Sequence, residues 1–182
     1  MKFSTKQLLV VIQVISWIIF VGVCIEAGGF LFNTIYTFFF NQNEARMYWS
    51  NVDLSALFRS DKGQFLTITT LMTIAAILKA VLFYIIIKVL HNQKLDLSQP
   101  FKPGIGQSIF NMSYVSFGIG LFANWGTRYT DWLEQQGINM PEIQYMGLAG
   151  ADVWLFMGVV LFVIALIFKR GIEIQTENDL TV

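Results

Sequence analysis

The stretch QLLVVIQVISWIIFVGVCIEAGGFL (residues 7–31) carries a single charged side chain, Glu26. A helix of about 20 apolar residues crosses the ~30 Å hydrocarbon core of a bilayer, so this stretch is long enough to span one. Three further apolar stretches of similar length lie near 65–90, 105–125 and 148–168. Because lipid offers the backbone no hydrogen-bond partners, such stretches cross as helices. The sequence therefore predicts an all-α integral membrane protein with four transmembrane helices in two antiparallel hairpins, packed as a four-helix bundle.

The composition of the chain favours the same class. Its 182 residues are 55% hydrophobic and 13% charged, with a mean hydropathy of +0.58, whereas soluble domains average about 25% charged residues. The four stretches leave no room for a separate soluble domain, so we expect a single membrane domain over residues 1–182. The apolar run after MKFSTKQ is longer than the 7–15 residues of a signal-peptide core, which favours an uncleaved first span.

The distribution of basic residues predicts the orientation. If the N-terminus is cytoplasmic, seven basic residues lie inside and four outside. Cytoplasmic loops favour Lys and Arg, so we expect both termini in the cytoplasm. The loops 41–64 and 126–147 then lie outside, and the connector 91–103 and the tail 169–182 lie inside. The inner set is Lys2, Lys6, Lys88, Lys94, Lys102, Lys169 and Arg170, and the outer set is Arg46, Arg59, Lys62 and Arg128.

Three local signals predict structure at the outer side. Ser50 and Asp53 precede LSALF in the pattern of a helix start, and Asp131 precedes WLEQQ with Gly137 as a stop. We therefore expect one short helix in each outer loop. The paired glycines at 28–29 lower helix propensity and predict a bend at the end of the first span.

Glu26 is the first candidate site residue. Counted from Gln7 at 1.5 Å per residue, it lies about 28 Å along the first helix, near the outer boundary. Arg128 and Asp152 are expected at a similar depth. Glu26 with Arg128 would form a structural ion pair, whereas Glu26 with Asp152 would form a proton or cation site. We favour the ion pair, because carboxylates near the boundary are tolerated at low cost.

Lys79 is the most deeply placed charge, about 21 Å from the outer edge of its span. One interpretation is that its long stem carries the ammonium group towards the cytoplasm. The other is that it pairs with a polar group on the third span or with a ligand, since charges inside a membrane often mark functional sites.

The third span is the least hydrophobic of the four. Ser113, Ser116 and Gly120 recur at helical spacing on one side, and small residues at that spacing allow close helix packing. We therefore expect this span to face its neighbours with little lipid exposure. The alternative is a polar substrate path lined by residues such as Asn111 and Asn124.

The sequence contains no motif that points to catalysis. It lacks the HExxH, Gly-rich phosphate-loop and GxSxG patterns, and it has one histidine and one cysteine. We expect a protein that is not an enzyme and needs no cofactor or metal.

The tail RGIEIQTENDLTV (170–182) is the least generic part of the chain. Its first glycine is expected to end the last helix, and the alternation in IEIQ is typical of a short extended strand. Such a strand could add to the sheet edge of a partner protein. The expected docking residues are Ile172, Ile174, Asn178, Asp179 and Leu180.

The same tail, the CIEAGGF segment and the PFKP connector resemble those of a family of bacterial membrane proteins known as domain of unknown function 2975. The resemblance covers essentially the whole chain and implies a four-span protein of the bacterial cytoplasmic membrane. Members of the family are often encoded beside a very small helix-turn-helix transcription regulator. The resemblance brings no catalytic residues.

Two hypotheses for function follow. In the first, the protein is a regulatory membrane tether whose tail and connector hold a small DNA-binding regulator, without binding nucleic acid itself. In the second, it is a small transporter, channel or ligand sensor that uses Glu26, Lys79, Asn111 and Asp152 within the membrane. Four spans are few for a transporter, so this hypothesis requires a homo-oligomer.

Overall fold

The structure is a computed structural model that describes residues 5–40, 42–50, 52–92 and 103–179. Most of the predicted connector and the docking residue Leu180 lie outside these ranges. The described residues form helices and no β-strand, which confirms the all-α class. The helices are α1 (Thr5–Phe39), α2 (Ser55–Ser60), α3 (Lys62–Asn92), α4 (Pro103–Gln135) and α5 (Ala151–Asp179), with a 3₁₀ helix over Gln42–Met47.

Three of these helices are long and apolar enough to cross a membrane. They cover Gln7–Phe39, Lys62–His91 and Ala151–Glu177, within α1, α3 and α5. These three helices are consistent with the predicted class of membrane protein. Helix α4 has the length but is less apolar, so a fourth crossing does not follow from its composition.

The long helices contact one another in the order α1, α3, α4, α5. Within the described residues, the backbone of α1 does not closely approach that of α4 or α5. The prediction that the four helices pack as a bundle is therefore wrong, and the helices form an open row. The physical reason is the distribution of small residues, which line α4 where it meets α5, whereas α1 carries large apolar side chains such as Ile18 and Phe32 that stay exposed.

The two outer pairs of the row are antiparallel and well registered. On α1 and α3, Gln13 lies beside His91 and Phe20 lies beside Tyr84, with a ring-centroid distance of 6.4 Å in the second pair. The ends of α3, α4 and α5 that lie level with the start of α1 are called the termini end below. The opposite end carries both long loops.

Helices α4 and α5 pack closely through small residues, as their spacing predicts. Ser113 and Ser116 are fully buried, and the Ser113 hydroxyl donates to the carbonyl of Gly158 at 2.8 Å. A Cβ on Gly120 would lie 2.6 Å from Leu155. Asn111, in contrast, is exposed on the outside of α4, so it does not line an interior path.

The best-packed region lies at the end opposite the termini. We call it the cap; it comprises residues 42–61 and 136–150 together with the adjoining helix ends. Tyr48, Leu57, Phe65, Leu133 and Met146 are fully buried there in one apolar cluster. Most of the apolar side chains of α1 and α5 are instead exposed, which is the arrangement expected of helices that face lipid.

The short helix predicted in the first loop is present as α2, and Asp53 accepts a hydrogen bond from the backbone N–H of Ser55 at 2.8 Å. The separate helix predicted in the second loop is wrong, because α4 continues without a break to Gln135. Gly137, with φ +83°, then lies just beyond the helix end, so its role as a stop is confirmed.

The predicted bend at the paired glycines is also wrong, since α1 is one helix from Thr5 to Phe39. The two glycines have different surroundings. A Cβ on Gly29 would lie 2.0 Å from the indole ring of Trp49, whereas a Cβ on Gly28 would meet open space. Gly29 therefore provides room for a cap side chain to pack directly on α1.

Candidate functional site beneath the cap

Lys79 connects the membrane helices to the cap. Its ammonium group donates a hydrogen bond to the carbonyl of Gly147, in the loop between α4 and α5, at 2.7 Å. The alternative in which Lys79 reaches the cytoplasm is therefore wrong. Side chains of a helix tilt towards its own N-terminus, and the N-terminus of α3 lies at the cap, so the lysine stem points towards the cap.

Glu26 faces the same point from α1. One of its carboxylate oxygens lies 3.0 Å from where a Cβ on Gly147 would be. Its negative charge acts on the Lys79 ammonium, although the two groups are not in direct ion-pair contact. Arg128 and Asp152, the two partners predicted for Glu26, are both exposed, and neither contacts Glu26 within the described part of the chain.

The site lies well below the cap end of α3. Lys79 lies 17 residues beyond the start of α3 at Lys62, or about 25 Å below the cap end of that helix. Because Glu26 and Lys79 meet around the same glycine, they lie at a similar depth. The depth of Glu26 relative to the outer membrane boundary stays a prediction.

Gly147 has a backbone conformation and surroundings that suit glycine. Its φ of +70° lies in the left-handed region, which L side chains avoid. The site of its missing Cβ is 3.5 Å from the ring of Phe30 and close to the Glu26 carboxylate. The backbone can enter the space between α1 and α3 only because no side chain is present at this residue.

The next residue fixes the loop to α4. Leu148 is fully buried and packs on Gly126, where a Cβ would lie 2.7 Å from the leucine side chain. The hydroxyl of Thr127 donates to the Leu148 carbonyl at 3.4 Å. Helix α5 begins three residues later, at Ala151. The four residues Glu26, Lys79, Gly147 and Leu148, called the latch below, hold the start of α5 against three other helices.

A second group of hydrogen bonds attaches the first loop to α1. Tyr48 is fully buried, and its hydroxyl donates to the carbonyl of Phe30 at 2.8 Å and lies 2.7 Å from the hydroxyl of Thr34. Thr34 also contacts the Phe30 carbonyl, at 2.7 Å. Burial raises the pKa of Tyr48 well above its ordinary value of 10.0, so the phenol stays neutral and remains a donor.

The tail forms a helix over its described part, and the predicted extended strand is wrong. Helix α5 continues through Gly171 to Asp179. Ile172 faces α4, because its side chain lies 3.4 Å from the Cβ position of Gly106. Of the predicted docking residues, Ile174 is exposed, and Asn178 and Asp179 lie in the last helical turn.

The latch was only partly visible in the sequence. Glu26 and Lys79 were identified as candidate site residues, but Gly147 and Leu148 were not. The signal for the glycine was MGLAG (146–150), two glycines just before an apolar stretch, where positive φ angles are common.

The chain matches no protein-family model, no curated protein and no solved structure. Within the described residues, no group of three or more His, Cys, Asp and Glu side chains could hold a metal ion.

Proposed function

We propose that this chain is a four-span regulatory protein of the bacterial cytoplasmic membrane, in which α5 carries the state of the cap to the cytoplasm. A fourth crossing by α4 is supported by its position between α3 and α5, which it contacts along its length. A helix packed lengthwise between two membrane-spanning helices crosses the same layer. With four crossings, the termini share one face, and the bias of basic residues favours the cytoplasm.

The hydrogen bond between Lys79 and the Gly147 carbonyl is the observation that carries the proposal. It joins the α1–α3 pair to the segment that leads directly into α5. Among the long helices, α5 packs closely on α4 alone, so few other contacts restrain it. A change in the cap that breaks the latch would free the start of α5. Small shifts of a packed helix are an established means of transmitting a signal.

The end of α5 would be the part of the protein that binds a cytoplasmic partner. Ile172 lies against Gly106, three residues from the start of α4, so α5 passes the end of α4 within about one further turn. Ile174 is exposed near this point, and we propose that it binds a partner together with Asn178, Asp179 and Leu180. Docking would use a helix in a groove, not a strand on a sheet edge. The resemblance to domain of unknown function 2975 proposes a small helix-turn-helix regulator as this partner.

A tagged pull-down tests the proposal. Full-length protein, a form that ends at Arg170 and a Lys79→Met variant would be purified from gently solubilised membranes and their partners identified by mass spectrometry. We expect the full-length protein to capture a small DNA-binding protein and the shortened form to lose it. Lys79→Met should change the captured amount while the tail is intact. Equal capture by the shortened form would refute docking by the tail, and equal capture by Lys79→Met would refute control by the latch.

A second function is supported by the opposite charges of Glu26 and Lys79 deep within the helices. A homo-oligomer of open rows could use them in a small transporter, channel or ligand sensor. Ion and proton flux into liposomes that contain the purified protein distinguishes this function from the first. Flux that is lost in Lys79→Met, together with no partner in the pull-down, would favour it.

A further inference from the structure

A pocket that contains a basic residue lies between α1 and α3 at the termini end. It has a volume of about 320 Å³, and its lining includes Lys88, His91, Gln13, Trp17 and Tyr84. The amide nitrogen of Gln13 lies 3.4 Å from Nδ1 of His91. The ammonium group of Lys88 supplies N–H donors to this pocket, and the imidazole of His91 lies beside Gln13 as a further polar group.

This pocket carries positive charge without a compensating acid. None of its described lining residues is acidic. The comparable pocket between α4 and α5 contains Lys169, but Glu173 lines it too. An anion is therefore better matched to the α1–α3 pocket.

An apolar groove continues from this pocket towards the cap. Tyr84 lines both, and the groove has a volume of about 360 Å³. The small side chains of Cys24, Ala27 and Ala80 leave this depression between the helices. From Lys88 to Ile77, near its upper end, the groove extends about 16 Å, which is roughly half of the ~30 Å hydrocarbon core.

We infer that the pocket and groove together bind one anionic phospholipid. The phosphate lies at Lys88 and His91, and an acyl chain lies along α1 and α3 over the depth of one leaflet. Trp17 and Tyr84 flank the junction between the two, where aromatic side chains with a polar group favour the level of the headgroups. Basic pockets between membrane helices are a recognised type of headgroup site. This lipid would cover apolar surface of α1 that the open row leaves exposed.

Native mass spectrometry of the full-length protein in detergent tests lipid binding. Phosphatidylglycerol and phosphatidylcholine would be titrated against wild type, Lys88→Gln and the control Lys169→Gln, which makes the same charge change at the same end of the molecule. We expect wild type to retain phosphatidylglycerol more strongly than phosphatidylcholine. Lys88→Gln should weaken retention of phosphatidylglycerol about fivefold, since a basic residue near a charged lipid surface contributes about 1 kcal/mol. Equal retention of both lipids, or equal weakening by Lys169→Gln, would overturn the inference.

Cys24 provides an independent measurement of where the lipid lies. It is the only cysteine in the chain, it is exposed, and it lines the groove. Saturating phosphatidylglycerol should slow its modification by an apolar maleimide in wild type and have less effect in Lys88→Gln. An unchanged rate while the lipid is bound would refute the groove as its location. Efficient Cys24–Cys24 cross-linking that phosphatidylglycerol does not reduce would show that a second copy of the chain occupies the groove instead.

Discussion

Replacement of Lys79 by methionine tests the latch most directly. Methionine keeps an unbranched stem of similar length but removes the ammonium group, and with it the 2.7 Å hydrogen bond to the Gly147 carbonyl. A hydrogen bond from a charged group contributes about 1.5–3 kcal/mol to stability. The substitution also removes the positive charge that acts on Glu26, and an isolated carboxylate at such depth is unfavourable. We therefore expect the free energy of unfolding to fall by about 2–4 kcal/mol.

The assay is reversible unfolding in mixed micelles, followed by tryptophan fluorescence. The matched control is Lys169→Met, because Lys169 is exposed at the other end of the molecule; we expect a change below about 0.5 kcal/mol. A double-mutant cycle with Glu26→Gln should then be non-additive, because the neutral amide no longer depends on the ammonium charge. The reasoning fails if Lys79→Met is as stable as Lys169→Met, or if the two substitutions are additive.

Three further predictions concern the cap and its attachment. In the same unfolding assay, Gly147→Ala should lower the free energy of unfolding by more than Gly150→Ala. Both glycines have positive φ, so an alanine at either residue costs about 1–2 kcal/mol. Only at Gly147 would the new Cβ also approach a carboxylate oxygen, at 3.0 Å. Equal losses would mean that this contact is not tight. Gly29→Ala should destabilise the protein by about 1–3 kcal/mol, because its Cβ would overlap the indole ring of Trp49. Gly28→Ala should stabilise it by up to about 1 kcal/mol, because its Cβ would meet open space and alanine has the higher helix propensity. Effects of the same sign at both residues would contradict the packing of Trp49 on Gly29. Tyr48→Phe should cost about 1 kcal/mol for the lost hydroxyl. In wild type, the folded protein retains the Tyr48 proton above pH 10.0, where the unfolded chain releases it, so stability should fall as pH rises beyond that value. Tyr48→Phe should reduce this slope, and an unchanged slope would exclude Tyr48 as its source.

The sequence was sufficient for the helices but not for their arrangement. Runs of about 20 apolar residues have one structural solution in lipid, so α1, α3 and α5 were predictable. The short helix after Asp53 and the end of α4 before Gly137 were also predictable from local signals. The open row of helices was not predictable, because it depends on which faces of α4 pack against α3 and α5. Hydropathy does not encode that choice.

The tail illustrates how two periodicities can compete. IEIQ alternates as a strand does, yet Phe168 and Ile172 are also four residues apart, which places them on one face of a helix. Both lie near Gly106 of α4. Packing on α4 therefore favours the helical reading, and Gly171 does not end α5.

The latch could not be predicted for a different reason. Lys79 and Glu26 were recognised as unusual, but Glu26 was assigned a side-chain partner, and Lys79 was expected to reach the cytoplasm, a polar group on the third span or a ligand. The hydrogen-bond acceptor for Lys79 is a backbone carbonyl, and no residue pattern identifies which carbonyl a loop will bring between two helices. Gly147 and Gly150 indicated only that the backbone turns there.

The distribution of packing favours a role in which the latch couples the cap to α5. The cap contains the fully buried cluster around Tyr48 and Leu133, and such a cluster resists gradual deformation. Helix α5 is mostly exposed and, among the long helices, packs closely on α4 alone, so its position depends on that one interface and on the latch. The latch joins these two regions at Gly147, close to the first residue of α5. A bound ligand, a proton or a lipid that changes the latch would therefore act on α5, whose last turn extends past the start of α4 at the termini end.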